Sequence, residues 1–364
     1  MKRIALIGCG RISFKHIEAY VNNADKLALT AICDAFLSRA QEKENEYKKN
    51  FPNAKISLFT DYRELIKLKP DIVTIATESG KHCQIAVDCL NAGCHVICEK
   101  PMALSTKDAD LMISTAKKKN LKLAVCFQNR FNAPVQKLRN ALENGRFGKI
   151  LHGCIQIRWN RNEAYYAEAP WRGTWEQDGG TLMNQCTHGI DLLQWIMGEN
   201  AVRVQAQTRR FMRPIEAEDF GAAIIEFKNG AVGIIEGSAD IYPKNINETL
   251  SIFGEKGSVV IGGLAVNKLE TWRFADAEKI GDIEEKVLNP NEKDPPTVYG
   301  FGHSALFKDF IEAVENDREP LVSGERGKKA LDIILAIYKS QKTGKPVNLP
   351  SNFSTLKMKG YFKK

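Results

Sequence analysis

No stretch of this 364-residue chain approaches the roughly 18 to 20 consecutive apolar residues of a membrane span, so no transmembrane segment is expected. Met1-Lys2-Arg3 runs directly into Ile4-Ala5-Leu6-Ile7 and then Gly8, too short and too soon interrupted by glycine to read as a secretory apolar region. The nine cysteines are odd in number and form no CxxC pair, which argues against a disulfide framework and fits a reducing, cytoplasmic compartment. Cys83, Cys89, Cys94 and Cys98, with His82 and His95 nearby, lack the knuckle spacing of structural zinc and fall along an expected helix and strand, so no metal is expected. Despite a net charge of +8 there is no arginine stripe or nucleic-acid motif. The dispersed charge reads as a solvated surface, compatible with an anionic small molecule rather than a polynucleotide.

What remains is an ordinary globular composition, 43% apolar and 26% charged, with length enough for two domains. In the first third, strand-like runs at 4–7, 28–33, 72–76, 95–98 and 122–127 alternate with helical stretches. That order predicts an α/β domain with a parallel, doubly wound sheet of Rossmann type over residues 1–126. Beyond it the period changes. One helix, 134–144, is followed by strands at 149–160, 201–211, 220–227, 231–241, 248–253, 258–261 and 268–274, with Asn229-Gly230 and Glu255-Lys256-Gly257 as hairpin turns. Residues 127–364 should therefore form an α+β domain with a large, mostly antiparallel open sheet, serving substrate binding and oligomerisation. Apolar residues of both parities in 221–227 and 231–235 ask for cover on both faces, one from the chain's own helices and one from a second subunit, as in a homodimer or homotetramer.

The first turn reads Gly8-Cys9-Gly10-Arg11-Ile12-Ser13, a dinucleotide fingerprint lacking its third glycine. Gly8 permits the tight turn, Gly10 lets the backbone approach a pyrophosphate, and Arg11 and Ile12 open the helix whose N-terminus receives it. Asp34 ends the second strand at the distance expected for gripping a ribose 2′-hydroxyl. No arginine adjoins it to neutralise a 2′-phosphate, which favours NAD over NADP. Thr77 and His82 follow a strand at its carboxyl end and are candidate cofactor neighbours, although His82 reads equally well as a helix N-terminal residue without a role. Glu99-Lys100-Pro101 follows the next strand and aims Lys100 into the same crevice. Glu99, Lys100 and Gln128 complete the expected cofactor set.

Asp178-Gly179-Gly180 leads into a segment read as one helix from Thr181 to Met197, stopped at Gly198. Asn184, His188 and Asp191 then stand at i, i+4 and i+7 on one face, either solvent-facing or lining a site. Arg158, Arg161, Tyr165 and Arg172 lie in a loop region rich in arginine and aromatics, suited to stacking on sugars and binding phosphate or carboxylate, or to packing.

Taken together, the GxGxxS turn, 77–82, Glu99-Lys100-Pro101, the Gly-Gly segment with Asn184 and His188, and the tail from Gly324-Glu325-Arg326 to Pro350 resemble the glucose-fructose oxidoreductase and inositol dehydrogenase family, Gfo/Idh/MocA, over nearly the whole chain. The resemblance implies that Lys100 and His188 are catalytic, that NAD is the cofactor, and that the substrate is a small sugar or polyol. Asn184 departs from the polyol branch, where an aspartate is common. The stretch 171–195 is more similar to UDP-N-acetylglucosaminuronate and UDP-N-acetylglucosamine 3-dehydrogenases, which implies a UDP-linked substrate with Arg158, Arg161, Tyr165, Arg172, Asn184 and Asp191 around it.

Overall fold

The computed structural model describes residues 1–198, 200–282 and 300–362 and divides into two compact units. The first comprises Met1–Phe127 and Gly302–Lys328, the second Gln128–Phe301 and Lys329–Lys364. The first stretch of the first unit ends at Phe127, where the sequence places a boundary after residue 126, and residues 302–328, expected in the second domain, belong with the first unit. The cause is burial: the helix His303–Glu315 lays Phe307 edge-on against Tyr20, with ring centroids 5.5 Å apart, and Ser304 accepts a hydrogen bond from Asn22 at 2.9 Å.

In the first unit, β1 (Lys2–Ile7), β2 (Leu27–Cys33), β3 (Ser57–Phe59), β4 (Ile72–Ile75), β5 (His95–Cys98) and β6 (Leu123–Val125) form one parallel sheet in the order β3-β2-β1-β4-β5-β6. The connections are α1 (Ser13–Asn22), α2 (Leu37–Lys48), α3 (Tyr62–Ile66), α4 (His82–Asn91) and α5 (Thr106–Lys119). All four residues of β4 are buried, as a central strand covered on both faces requires. The three-residue edge strand β3 is too short to show a period in sequence. Strand order reverses between β1 and β4, which opens the crevice where such sheets bind ligands. Helix ends are specified locally. Ser105 caps α5 by accepting from the Asp108 N–H at 3.0 Å, a contribution of about 1 kcal/mol.

In the second unit, α6 (Ala133–Glu143), β7 (Ile150–Arg158), α7 (Glu163–Ala167), α8 (Thr181–Asn184) and α9 (Thr187–Met197) precede β8 (Ala201–Arg209), β9 (Phe220–Phe227), β10 (Val232–Ser238), β11 (Asn247–Gly254), β12 (Gly257–Gly262), β13 (Lys268–Phe274) and β14 (Val347–Asn348). The sheet order is β13-β12-β11-β7-β10-β9-β8-β14, and β7–β10 is its parallel pair; the remaining pairs are antiparallel. Both expected hairpins form, with Gly230 at φ 83° in the first. The helices α8 and α9 cover one face of the sheet closely, because glycines lie beneath them. A Cβ on Gly237 would come within 2.5 Å of the Cys186 sulfur, and one on Gly221 within 2.5 Å of the Leu182 side chain. On the opposite face Ile224 and Ile234 sit directly paired and exposed, at 57% and 42%.

Candidate active site

The glycine turn of the first unit is built for a close backbone approach. Gly8 has φ 95°, and a Cβ there would stand 2.5 Å from the Ala76 carbonyl carbon, so no other residue fits. A Cβ on Gly10 would meet nothing within 4 Å, leaving open space above the start of α1. That helix start has no side-chain cap; the N–H groups of Ser13 and Lys15 bond to the Gly10 and Ile12 carbonyls at 3.1 and 2.9 Å, and the dipole of the helix favours an anion at this end. Ser13, standing for the third glycine, turns its hydroxyl inward to the Gly10 carbonyl at 2.6 Å and is buried. Asp34 lies beside the turn, accepting from Cys9 N at 2.8 Å and Phe36 N at 2.9 Å. Each carboxylate oxygen keeps a lone pair for a ribose hydroxyl, and its charge opposes a 2′-phosphate. Arg11 is exposed and Ile12 half-buried at the same helix start. This turn fits NAD, with Gly8, Gly10, the start of α1 and Asp34 as the residues that would hold it.

Thr77 and Lys100 are half-buried at the carboxyl ends of β4 and β5, and the Lys100–Pro101 peptide is cis. Two neighbours depart from expectation. His82 is 1% exposed, with Nδ1 2.8 Å from the Pro101 carbonyl and Nε2 3.0 Å from that of Thr77, so it ties two loops together rather than facing a cofactor. Glu99 is likewise buried, with His16 Nε2 at 3.0 Å from Oε1 and Lys100 N at 3.2 Å from Oε2. Burial alone would favour the neutral acid, but the His16 hydrogen bond and neighbouring positive groups hold Glu99 down at about 2.

In the second unit, the single helix expected over 181–197 is two, broken at Gln185-Cys186. Cys186 N bonds five residues back to Thr181 O, and a new turn starts from Cys186 O. Asn184 and His188 thus stand on consecutive helices, both half-buried. Asn184 Nδ2 donates to the buried Asp178, whose other oxygen accepts from Gly173 N at 2.7 Å. An acid therefore does stand behind this position, supplied from six residues upstream. Gln128 is buried with its side-chain amide 3.3 Å from His188 Nε2, so amide and imidazole are within hydrogen-bond reach of each other.

Asp191 and Arg158 require correction. Asp191 is fully buried and holds Arg130 in a two-pronged ion pair at 2.6 and 2.7 Å, so it faces neither substrate nor imidazole. Arg158 is on the sheet, paired with Glu236 at 2.7 and 2.8 Å. Arg161, Tyr165 and Arg172 do come together: the two guanidinium carbons lie 5.4 and 4.2 Å from the centroid of the Tyr165 ring. Gln185 joins them to Asn184, accepting from Arg161 Nε at 2.8 Å while its amide donates to Tyr165 OH at 2.8 Å and Asn184 Oδ1 at 3.1 Å. Gln185, Asp178, Arg130 and His16 were not singled out from sequence. His16 had a signal: it shares the buried stripe of α1 with Ser13, Ile17 and Tyr20, where an imidazole needs a partner.

Residues 2–127 match the family model described as the NAD-binding Rossmann fold of the Gfo/Idh/MocA oxidoreductases, and residues 139–349 match that family's C-terminal alpha/beta domain. Two solved dehydrogenases, WlbA of Bordetella pertussis and of Chromobacterium violaceum, each in complex with NADH and UDP-GlcNAcA, are both 35% identical to the chain. Their TM-scores are 0.83 and 0.85; the alignments cover 96% and 97% of this chain and 99% and 97% of theirs. The myo-inositol 2-dehydrogenase of Thermotoga maritima is 28% identical over 361 residues, 95% of this chain and 98% of its own. With a nucleotide turn fitted to NAD in one unit and an imidazole beside amides in the other, the chain belongs to the Gfo/Idh/MocA oxidoreductase family and is an NAD-dependent oxidoreductase acting on CH–OH groups.

Proposed function

We propose that this enzyme oxidises a secondary hydroxyl, at C3, of a nucleotide-activated amino sugar such as UDP-N-acetylglucosaminuronate or UDP-N-acetylglucosamine. The observation that carries the reading is the Arg161–Tyr165–Arg172 group, joined through Gln185 to Asn184 and so to the segment bearing His188. Two guanidinium groups against one aromatic ring suit an anionic, ring-shaped substrate better than a free neutral polyol. The 35% likeness to two enzymes crystallised with UDP-GlcNAcA supports it.

Bound NAD supplies the acceptor for the hydride leaving the carbinol carbon. His188 takes the hydroxyl proton on its imidazole, while the Lys100 ammonium hydrogen-bonds the same oxygen and stabilises the developing alkoxide. Asn184, fixed by Asp178 and Gln185, binds a neighbouring hydroxyl or amide of the sugar. The exposed Ile224–Ile234 pair seats a second copy in a homodimer or homotetramer, a reading that a monomeric mass in light scattering would remove. Nine free cysteines suit work in the cytoplasm. A second reading, dehydrogenation of a free sugar or inositol, draws on the likeness to the Thermotoga myo-inositol enzyme.

Nicotinamide absorbance on mixing the protein and NAD with UDP-N-acetylglucosaminuronate, UDP-N-acetylglucosamine, glucose or myo-inositol, with and without 2-oxoglutarate, separates these. Reduction by a UDP-sugar alone is expected. Reduction by a free polyol alone replaces the first reading with the second, and NAD binding without reduction by any of them points to a nucleotide-sensing role. Replacing His188 with alanine should lower turnover by about 10²-fold or more.

A further inference from the structure

The tripeptide bearing Lys100 is gripped on both sides by histidines that the reaction itself does not use. His16, on α1, is fully buried, and its Nε2 meets the Glu99 carboxylate at 3.0 Å. The second Glu99 oxygen accepts from the Lys100 backbone N–H at 3.2 Å, so carboxylate and lysine peptide move as one. On the other side His82, the first residue of α4, reaches the Pro101 carbonyl at 2.8 Å and the Thr77 carbonyl at 3.0 Å. We propose that His16 and His82 are positioning residues for Lys100, His16 acting through the Glu99 carboxylate and His82 through the carbonyl of Pro101. The inference rests on the reading that Lys100 serves the substrate hydroxyl.

The surroundings support a division of labour. Glu99, held ionised, can only accept, so His16 must carry its proton on Nε2. Around this pair stand Lys15 on α1, Cys98 on β5, Cys126 beyond β6, His82 on α4 and His303 on the helix His303–Glu315. Burial pushes His303 down to about 3 and the Cys98 and Cys126 thiols well up, so all three are neutral at physiological pH. Glu99 is then the anion of this buried group and stands next in the chain to the Lys100 ammonium, whose charge it favours. Burial pushes His82 down although both carbonyls favour its charged form; a neutral ring donates to one of the two carbonyls only, and the shorter contact is to Pro101. His16 thus maintains a charge and a geometry, whereas His82 maintains a geometry alone.

The test uses the full-length protein and reads Lys100 directly. Brief acetylation with acetic anhydride across a pH series, with the Lys100 peptide quantified by mass spectrometry, gives the pH at which the amine becomes reactive. His16→Leu and Glu99→Gln should each lower that midpoint by about one pH unit, His16→Gln should restore it, and His82→Phe should leave it in place. Glu99→Gln keeps the experiment decisive should His16→Leu fail to fold. With UDP-N-acetylglucosaminuronate as substrate, His16→Leu and His82→Phe should each lose about 10²-fold in turnover through misplacement of the amine, with the Kd for NAD held within about twofold. Folded His16→Leu and Glu99→Gln proteins with the wild-type midpoint overturn the role of His16, and wild-type turnover in His82→Phe overturns that of His82. The atoms of His16, Glu99 and Cys126 also lie within 4.8 Å of one another, so stoichiometric metal in the purified protein would overturn the proposal by giving His16 a different partner. Full activity in Lys100→Met would instead sink the functional reading, while the acetylation midpoints would still judge the charge held by His16.

Discussion

Removing the Asp191 carboxylate should unfold the second unit far more readily than it disturbs the first. Arg130 and Asp191 have side chains 1% and 0% exposed, joined by two hydrogen bonds of 2.6 and 2.7 Å. In Asp191→Ala the guanidinium stays buried with the Trp195 ring, 4.9 Å away, in place of an anion. An uncompensated buried charge of this kind costs about 3–5 kcal/mol. For a unit of roughly two hundred residues, at about 2–4 °C per kcal/mol, the melting midpoint falls by about 6–20 °C. All five tryptophans, Trp159, Trp171, Trp175, Trp195 and Trp272, belong to the second unit, so tryptophan fluorescence during thermal or urea unfolding follows that unit alone. The double variant Arg130→Met/Asp191→Leu should recover most of the loss, because exchanging a whole buried pair for apolar groups is near neutral or stabilising. Gln128, two residues before Arg130, touches His188, three residues before Asp191, so turnover should fall in the single variant while the NAD affinity of the first unit is kept. A loss below about 1 kcal/mol, or a double variant as unstable as the sum of the singles, would refute the assignment of Asp191 to this pair.

Gly10→Ala should leave the melting midpoint unchanged, since a Cβ there meets no atom within 4 Å, yet weaken NAD binding at least about tenfold by filling the space over the helix start; unchanged affinity by titration calorimetry would refute the assigned cradle. Gly8→Ala, with φ 95° and a 2.5 Å clash, should lose stability as well as affinity. Burial pushes the Glu218 carboxyl up to about 8, although it accepts from Leu182 N at 2.9 Å and Tyr338 OH at 2.8 Å. The folded protein then keeps a proton that the unfolded chain releases near pH 4.5, so this group's stabilisation is lost as pH rises from about 4.5 to about 8, by at most about 1.4 kcal/mol per pH unit. Glu218→Gln should flatten that slope in urea titrations at pH 5 to 9, and parallel wild-type and variant curves would show that Glu218 ionises normally.

The sequence by itself determined whatever depends on local chemistry and period. Glycine at residues 8 and 10, after an apolar run and before a helix, with Asp34 closing the second strand, can make few structures other than a nucleotide turn. Lys100 at a strand's carboxyl end and the change of period beyond residue 127 were legible for the same reason. Tertiary structure decided what depends on partners distant in the chain. Nothing near Glu99 announces that His16, 83 residues away, occupies its carboxylate, and nothing near Asp191 announces Arg130, 61 residues away. A buried polar side chain must find its hydrogen bonds wherever the fold supplies them, so its role follows its burial rather than its spacing. The same cause broke the helix expected over 181–197: close seating of α8 and α9 on the glycines of the sheet outweighed the helical period and turned Asn184 toward Asp178. It also returned residues 302–328 to the first unit, because the apolar face of the helix His303–Glu315 is buried there against α1.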